Sequence, residues 1–143
     1  LATRPKTTTA IAKTTKSTKV AKTVQPAAPT TLLDFAHLAI DAIESKKGSD
    51  IVLLDMQKIS AFTDYFLLCN GDSARQIKAI AEGVQAALDQ HGKKRIGIEG
   101  SAETGWILLD YADLLIHVFA PTQRAYYDLE GLWHDAQTVV KIQ

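Results

Sequence analysis

From Leu32 onward the apolar residues follow two rhythms, a helical one of three or four residues and a series of short unbroken runs, and their succession predicts the elements of the chain. Leu32, Phe35, Ala36, Ala39, Ile40 and Ile43 recur at helical spacing behind Thr31, whose hydroxyl suits an N-cap, and Lys46, Lys47 and Gly48 mark the stop. Ile51 to Leu54 and Tyr65 to Cys69 are short apolar runs that read as buried strands, with Met56 to Asp64 as their connection. Gly71, Asp72 and Ser73 supply a turn and a cap. They precede a second helix carried by Ile77, Ile80, Ala81, Val84, Ala87 and Leu88 and closed by His91 and Gly92. Three further strands are predicted at Arg95 to Glu99, Trp106 to Tyr111 and Leu114 to Phe119. Only Ala112 and Asp113 separate the last two, which predicts a tight hairpin. Pro121 at a helix start and the spacing of Tyr126, Leu129, Leu132 and Trp133 predict one or two closing helices, with Gly131 weakening their continuity. The predicted order, α, β, β, α, β, β, β, α, implies a single three-layer α/β/α domain with a mixed sheet of about five strands covered on both faces.

Composition changes the picture mainly at the N-terminal end. Residues 1–31 are almost entirely Thr, Lys, Ala and Pro and hold six basic groups (Arg4, Lys6, Lys13, Lys16, Lys19, Lys22) and no acid. So few large apolar groups cannot offset the entropy of ordering a backbone, so this arm is predicted to be disordered and the domain to run over 32–143. The remaining ten basic residues of the chain face all sixteen acidic ones in 32–143, so the net charge of +0 hides a basic arm and an acidic domain. Three readings of the arm stay open: contact with a polyanion, rRNA foremost, a solvated tail, or a Lys-rich variant of a transit peptide. A single cysteine, Cys69, excludes an internal disulfide framework and suits a reducing, cytoplasmic setting, and no apolar run has the roughly 20 residues needed to span a bilayer.

The residues that usually carry catalysis are scattered. His37, His91, His117 and His134 share no short metal-type spacing with one another or with Cys69, and each is read as structural. Cys69 ends a buried strand without a basic neighbour in sequence and is read as a small buried hydrophobe. The strongest enzymatic pattern is the Gly71-Asp72-Ser73 turn before a helix combined with Asp110 and Asp113, since nucleotidyltransferases pair a Gly-Ser turn for phosphate with carboxylates for Mg²⁺. Asp72 would repel a triphosphate, and carboxylates three residues apart across a turn are poorly aimed at one ion. We therefore assign neither a cofactor nor a metal ion. What remains is a concentration of aromatic and acidic residues around the hairpin: Glu99, Glu103, Trp106, Asp110, Tyr111 and Asp113. Large anchors beside carboxylates suit docking onto a basic protein, the anchors giving affinity and the charges orientation. Strand alternation places Trp106, Leu108 and Asp110 on one face and Ile107, Leu109 and Tyr111 on the other, so all serve one surface only if the turn brings Tyr111 round.

Several stretches together resemble one family. They are Asp50 to Asp55, Thr63 to Phe66, the Gly71-Asp72-Ser73 turn with Arg75 to Ile80, Glu99-Gly100, Gly105 to Asp113, His117 to Phe119, and Arg124 with Tyr127, Leu129, Glu130, Leu132 and Trp133. Over this part of the chain the sequence resembles the ribosomal silencing factor (Iojap) family. The resemblance implies a nucleotidyltransferase-like topology without catalysis. It further implies docking onto the large ribosomal subunit through its protein number fourteen, so that the small subunit is excluded and translation falls when nutrients are short. Family members in organelles are linked to large-subunit assembly, which is the alternative role. Carried over, Trp106, Asp110, Tyr111 and Asp113 are the candidates for the ribosomal-protein contact, and a homodimer off the ribosome fits the resemblance. Two positions depart from the family's pattern. Ala112 stands where many relatives have Gly, costing on the order of 1 kcal/mol if the turn needs positive φ, and Gly131 replaces a better helix former.

Overall fold

A computed structural model describes residues 28–143. The expectations for residues 1–27, which make up most of the basic arm, lie outside the described residues. The first helix, α1 (Leu32–Ser45), begins where the pattern places it. Thr31 and Asp34 form a reciprocal capping box: the Asp34 N–H donates to the Thr31 hydroxyl at 3.1 Å, and the Thr31 N–H donates to the Asp34 carboxylate at 3.1 Å. The Thr30 N–H, which also donates to this carboxylate at 3.1 Å, and the Thr31 N–H hold the Asp34 carboxyl below the usual carboxylate range. At its end the residue in the left-handed region is Lys47 (φ 66°), not Gly48. Gly48 is needed for close approach instead, because a Cβ there would press into the side chains of Ile43 and Ile80.

The strands β1 (Ser49–Asp55) and β2 (Tyr65–Asn70) are central and buried, and α2 (Ala74–Gln90) follows behind the Ser73 cap. β3 (Gly97–Ser101), β4 (Trp106–Asp110) and β5 (Leu114–Phe119) come next, then α3 (Pro121–Tyr127), α4 (Leu129–Leu132) and β6 (Gln137–Ile142). The sheet order is β3-β4-β5-β2-β1-β6, with β2 and β5 parallel and every other pair antiparallel. The fold is therefore α/β with a mixed sheet, and the strand count is corrected from about five to six. The additional strand is β6, an outer strand held by its ladder to β1, with only Val140 and Ile142 half-buried. The third strand also sits two residues later than its apolar pattern suggested, leaving Ile96 exposed.

The two faces of the sheet are covered unequally. α1 and α2 pack Ala36, Ala39, Ile40, Ile43, Ile77, Ile80, Val84 and Leu88 over Ile51, Leu53, Leu67, Leu109, Ile116 and Val118. On the other face Val52, Leu54, Met56, Phe66, Leu68 and Phe119 pack with Ile59, Trp106, Leu115, Trp133, Ala136 and Leu129 of the short α4. The closing helical segment is broken at Asp128, which caps α3 in the left-handed region (φ 47°) and is also the N-cap of α4. The Gly131 N–H donates to Asp128 Oδ1 at 3.1 Å, and a Cβ on residue 131 would overlap the same carboxylate. Gly131 is thus the residue that makes room for the cap, and the break is built, not frayed. Substituting Gly131→Ala removes that cap, and the denaturant midpoint is expected to fall by the equivalent of about 1 kcal/mol. An unchanged midpoint in equilibrium unfolding would show that the cap carries no stability.

Candidate docking site at the β4–β5 hairpin

The hairpin is built by its own carboxylates. Asp110 Oδ1 accepts the Ala112 N–H at 2.8 Å, an Asx-type turn, while the Asp113 N–H donates to the Tyr111 carbonyl at 2.9 Å. Ala112 lies at φ 69°, so the turn does require the left-handed region. Asp113 pairs with Lys93 at 2.9 Å, tying the hairpin to the end of α2, and its carbonyl accepts the N–H groups of Asp64 and Tyr65 at 2.9 and 3.1 Å. Asp110 and Asp113 are therefore each engaged with the protein's own groups.

The turn does not bring Tyr111 round. Its ring lies with Ile107 and Leu109 in the core under α1 and α2, at 2% exposure, and its hydroxyl has no hydrogen-bond partner among the described residues. Burial, with Asp89 adding repulsion, pushes the phenol up to about 12. Trp106 faces the opposite way. It stacks on Phe119 at 4.9 Å between centroids and meets Tyr127 of α3 at 4.5 Å, and its indole N–H donates to His117 Nδ1 at 3.2 Å. Of the four candidates, Trp106 and Asp110 share the face away from α1 and α2, Asp113 sits at the turn, and Tyr111 is behind the sheet. Glu99, paired with Leu108 across β3 and β4, joins the Trp106 face. There Glu99, Gly100, Thr104, Trp106, Leu108 and Tyr127 line an open groove of about 240 Å³.

His117 is the buried partner of that tryptophan. Burial, reinforced by the Arg124 guanidinium, pulls its pKa down to about 3, so the ring is neutral. With Nδ1 accepting from Trp106, the proton belongs on Nε2, which has no partner among the described residues. The sequence placed His117 in a strand as structural and missed its role as the indole's acceptor. It also gave no role to Arg124, named only within the resemblance, although this side chain makes four hydrogen bonds. This guanidinium makes a two-pronged pair with Glu130 (Nε to Oε1 and Nη2 to Oε2, both 2.9 Å), and Nη1 donates to the Asp50 carbonyl at 2.8 Å and to Asn70 Oδ1 at 2.7 Å. The signal for it lay in the closing segment: a cation six residues before an acid across a helix break.

The Gly71-Asp72-Ser73 turn is a strand-to-helix cap. The Gly71 N–H donates to the Phe119 carbonyl at 2.8 Å, and Ser73 Oγ accepts the Gln76 N–H at 3.1 Å. Gln76 in turn donates to the carbonyls of Lys46 and Lys47 at 3.1 and 2.9 Å, joining α2 to the end of α1. Cys69 is fully buried, and burial pushes its thiol up to about 12, as befits an apolar packing group. His37 and His134 are exposed, and His91 Nδ1 lies 3.0 Å from the Ala87 carbonyl. Among the described residues no helix is long and apolar enough to cross a membrane.

With this geometry in place, the comparisons with known proteins are specific. A family model described as "Ribosomal silencing factor during starvation" matches residues 29–143. The chain is 40% identical over 106 residues to the ribosomal silencing factor RsfS of Halalkalibacterium halodurans, covering 74% of this chain and 91% of that protein. It is 42% identical over 99 residues to RsfS of Bacillus subtilis, covering 69% and 84% respectively. A crystal structure of a Chromobacterium violaceum protein superposes with a TM-score of 0.71 at 39% identity, covering 73% of this chain and 88% of that one. The chain belongs to the ribosomal silencing factor family, a family of translation regulators.

Two stability effects follow from the hairpin and its buried histidine. Ala112→Gly relieves the left-handed strain and is expected to stabilise the protein by about 1 kcal/mol in denaturant unfolding; a lower midpoint would mean that the turn gains nothing from glycine. His117 has a folded pKa depressed from 6.5, so the unfolded chain takes up its proton first and stability falls as pH drops below about 6.5. The slope from this group approaches about 1.4 kcal/mol per pH unit. The Glu130 carboxyl, held below 4.5 by its hydrogen bonds to Arg124, titrates below that window. Between pH 7 and pH 5, His117→Gln is therefore expected to flatten the fall in unfolding free energy, and an equally steep fall in the variant would assign the slope elsewhere.

Proposed function

We propose that this protein binds the large ribosomal subunit and keeps the small subunit from joining, repressing translation when nutrients are limiting. The observation that carries the reading is membership of the silencing family over residues 29–143, with relatives named ribosomal silencing factors. In this reading the protein is not an enzyme. It acts by occupying volume, and no conformational switch is required.

The contact we propose is the β4–β5 hairpin with its adjoining groove, facing the large-subunit protein numbered fourteen. Trp106, with Tyr127 against it, offers the large anchor that interfaces concentrate their energy on. Asp110, Asp113 and exposed Glu99 supply negative charge around it, suited to a basic partner. Tyr111 contributes from behind, filling the core under the turn and so fixing the hairpin's shape. The basic arm would add a salt-sensitive contact to rRNA. In this reading the protein acts in the cytoplasm of a bacterial-type cell.

The enzymatic alternative finds no support in the geometry. Ser73 Oγ is engaged by Gln76 and Asp113 by Lys93, which supports the docking reading over a nucleotidyltransferase-like one. A homodimer off the ribosome remains compatible with the fold, and its edge strands β3 and β6 are free on one side among the described residues.

The test is sucrose-gradient sedimentation of purified ribosomal subunits with and without the protein. It is expected to travel with large subunits and to lower the amount of joined ribosomes. A protein left at the top of the gradient would end the ribosomal reading, and Mg²⁺-dependent nucleotide binding would be measured next. Charge reversal at Glu99→Lys, chosen because Asp113 also holds Lys93, is expected to slow association roughly tenfold at low salt and to weaken its salt dependence. Unchanged association kinetics would remove Glu99 from the encounter surface.

A further inference from the structure

We propose that Arg124 is a positioning residue for the docking surface, a latch that seats α3 so that Tyr127 stands over Trp106 and forms the outer wall of the groove. The proposal rests on the docking reading above and adds to it the device that holds the surface in shape. It starts from the mismatch on the second face of the sheet. α3 has seven residues and α4 four, too few for either helix to hold its position by its own backbone hydrogen bonds. Their exposed residues include Tyr126 and Leu132, so much of their apolar surface is not spent on the sheet.

The guanidinium replaces what packing does not supply. Arg124 reaches two neighbouring interior strands, β1 through the Asp50 carbonyl and β2 through Asn70, and it grips α4 through Glu130. Asn70 is itself fixed, since its Nδ2 donates to Asp50 Oδ2 at 3.2 Å. One side chain thus ties four elements together at the corner where Asp128 breaks the helices. Arg124 lies three residues before Tyr127, close to one helical turn, so fixing Arg124 fixes where Tyr127 projects. Both aromatic contacts follow the latch in sequence: Tyr127 meets Trp106 three residues after it, and Trp133 meets Phe66 edge-on at 6.2 Å nine residues after it. A planar fork is suited to this task because its donors have fixed directions, which a lysine ammonium lacks.

The experiment uses the full chain carrying Trp133→Phe, which leaves Trp106 as its single tryptophan. In that background Arg124→Met, Glu130→Gln, Tyr127→Ala and the Arg124→Met/Tyr127→Ala pair are compared by acrylamide quenching of Trp106 and by large-subunit affinity. With circular dichroism confirming the fold, Arg124→Met is expected to raise the quenching of Trp106 towards the Tyr127→Ala level and to weaken binding about tenfold. Adding Tyr127→Ala to it is expected to cost less than a further twofold, because the two act through one contact. Glu130→Gln is expected to move both readouts the same way by a smaller factor, and it tests the latch if Arg124→Met fails to fold. Unaltered quenching in the folded variants, or losses that multiply in the double variant, would overturn the latch. A parent protein that does not sediment with large subunits would instead overturn the ribosomal reading, and the quenching comparison alone would then decide whether Arg124 seats Tyr127.

Discussion

A six-stranded sheet presents two apolar faces, and this chain has enough long helix to cover only one of them. α1 and α2, with 14 and 17 residues, bury most of the first face. The second face, carrying Leu54, Phe66, Leu68 and Phe119, has only short helices and a turn to shield it. Much of what is distinctive about the domain follows from that shortage. Aromatic rings recruited from strands and helix ends fill the area that a third long helix would have covered. A charged group, Arg124, is drawn inside to fasten them. Burying a guanidinium is costly unless its donors meet acceptors, and here four of its hydrogen bonds are made to groups of β1, β2 and α4. What is left half-covered, around Trp106 and Leu108, is the groove.

The buried histidine belongs to the same economy of space. A tryptophan turned into this face brings an N–H that must be satisfied, and the adjacent strand offers His117 in register with Leu108. The ring serves as an acceptor only while it is neutral, and its burial beside Phe66 and Phe119 keeps it so. The neighbouring Arg124 charge acts in the same direction, so the latch and the indole's acceptor reinforce each other. An imidazolium there would lose the indole's hydrogen bond and stand uncompensated near a guanidinium. Trp106 orientation, His117 protonation and the seating of α3 are therefore one coupled arrangement.

Elements whose burial is periodic were legible in the sequence, and those fixed by distant partners were not. α1 and α2 could be read from their apolar stripes and from Thr31 and Ser73, because caps and stripes are local signals. Strand alternation correctly separated Trp106 from Tyr111, which directly follows β4 and packs on the side of Ile107 and Leu109. The sixth strand was missed because Gln137, Thr138 and Val139 are exposed and its order comes from pairing with β1, which no local pattern announces. Arg124 escaped for a similar reason: its acceptors at Asp50 and Asn70 lie 74 and 54 residues away. Gly131 was read as weakening helix continuity, and the segment does break, but a propensity argument cannot see the Asp128 carboxylate that Gly131 accommodates.

The engagement of the hairpin acids within the protein does not disqualify them from a role in docking. A carboxylate that accepts an N–H or pairs with a lysine keeps most of its own charge, and its fixed position makes its field more useful than that of a freely moving side chain. Asp110 is held by the Ala112 N–H and loses none of its charge to it, whereas Asp113 is partly offset by Lys93. Screening then sets which acids matter. At physiological ionic strength exposed charges fade over about 8 Å, so the acid excess of the domain cannot act as a whole on a partner seated at one edge. Only the groups beside the groove, Glu99 and Asp110 foremost, can orient such a partner. Orientation of this kind changes how often an encounter succeeds more than how long a complex lasts. Duration has to come from desolvated contact, for which Trp106 and Tyr127 are the available surface. Under the proposed function a subunit would be silenced for as long as the protein stays bound, so the seating of Trp106 and Tyr127 would outweigh the sum of the charges around them.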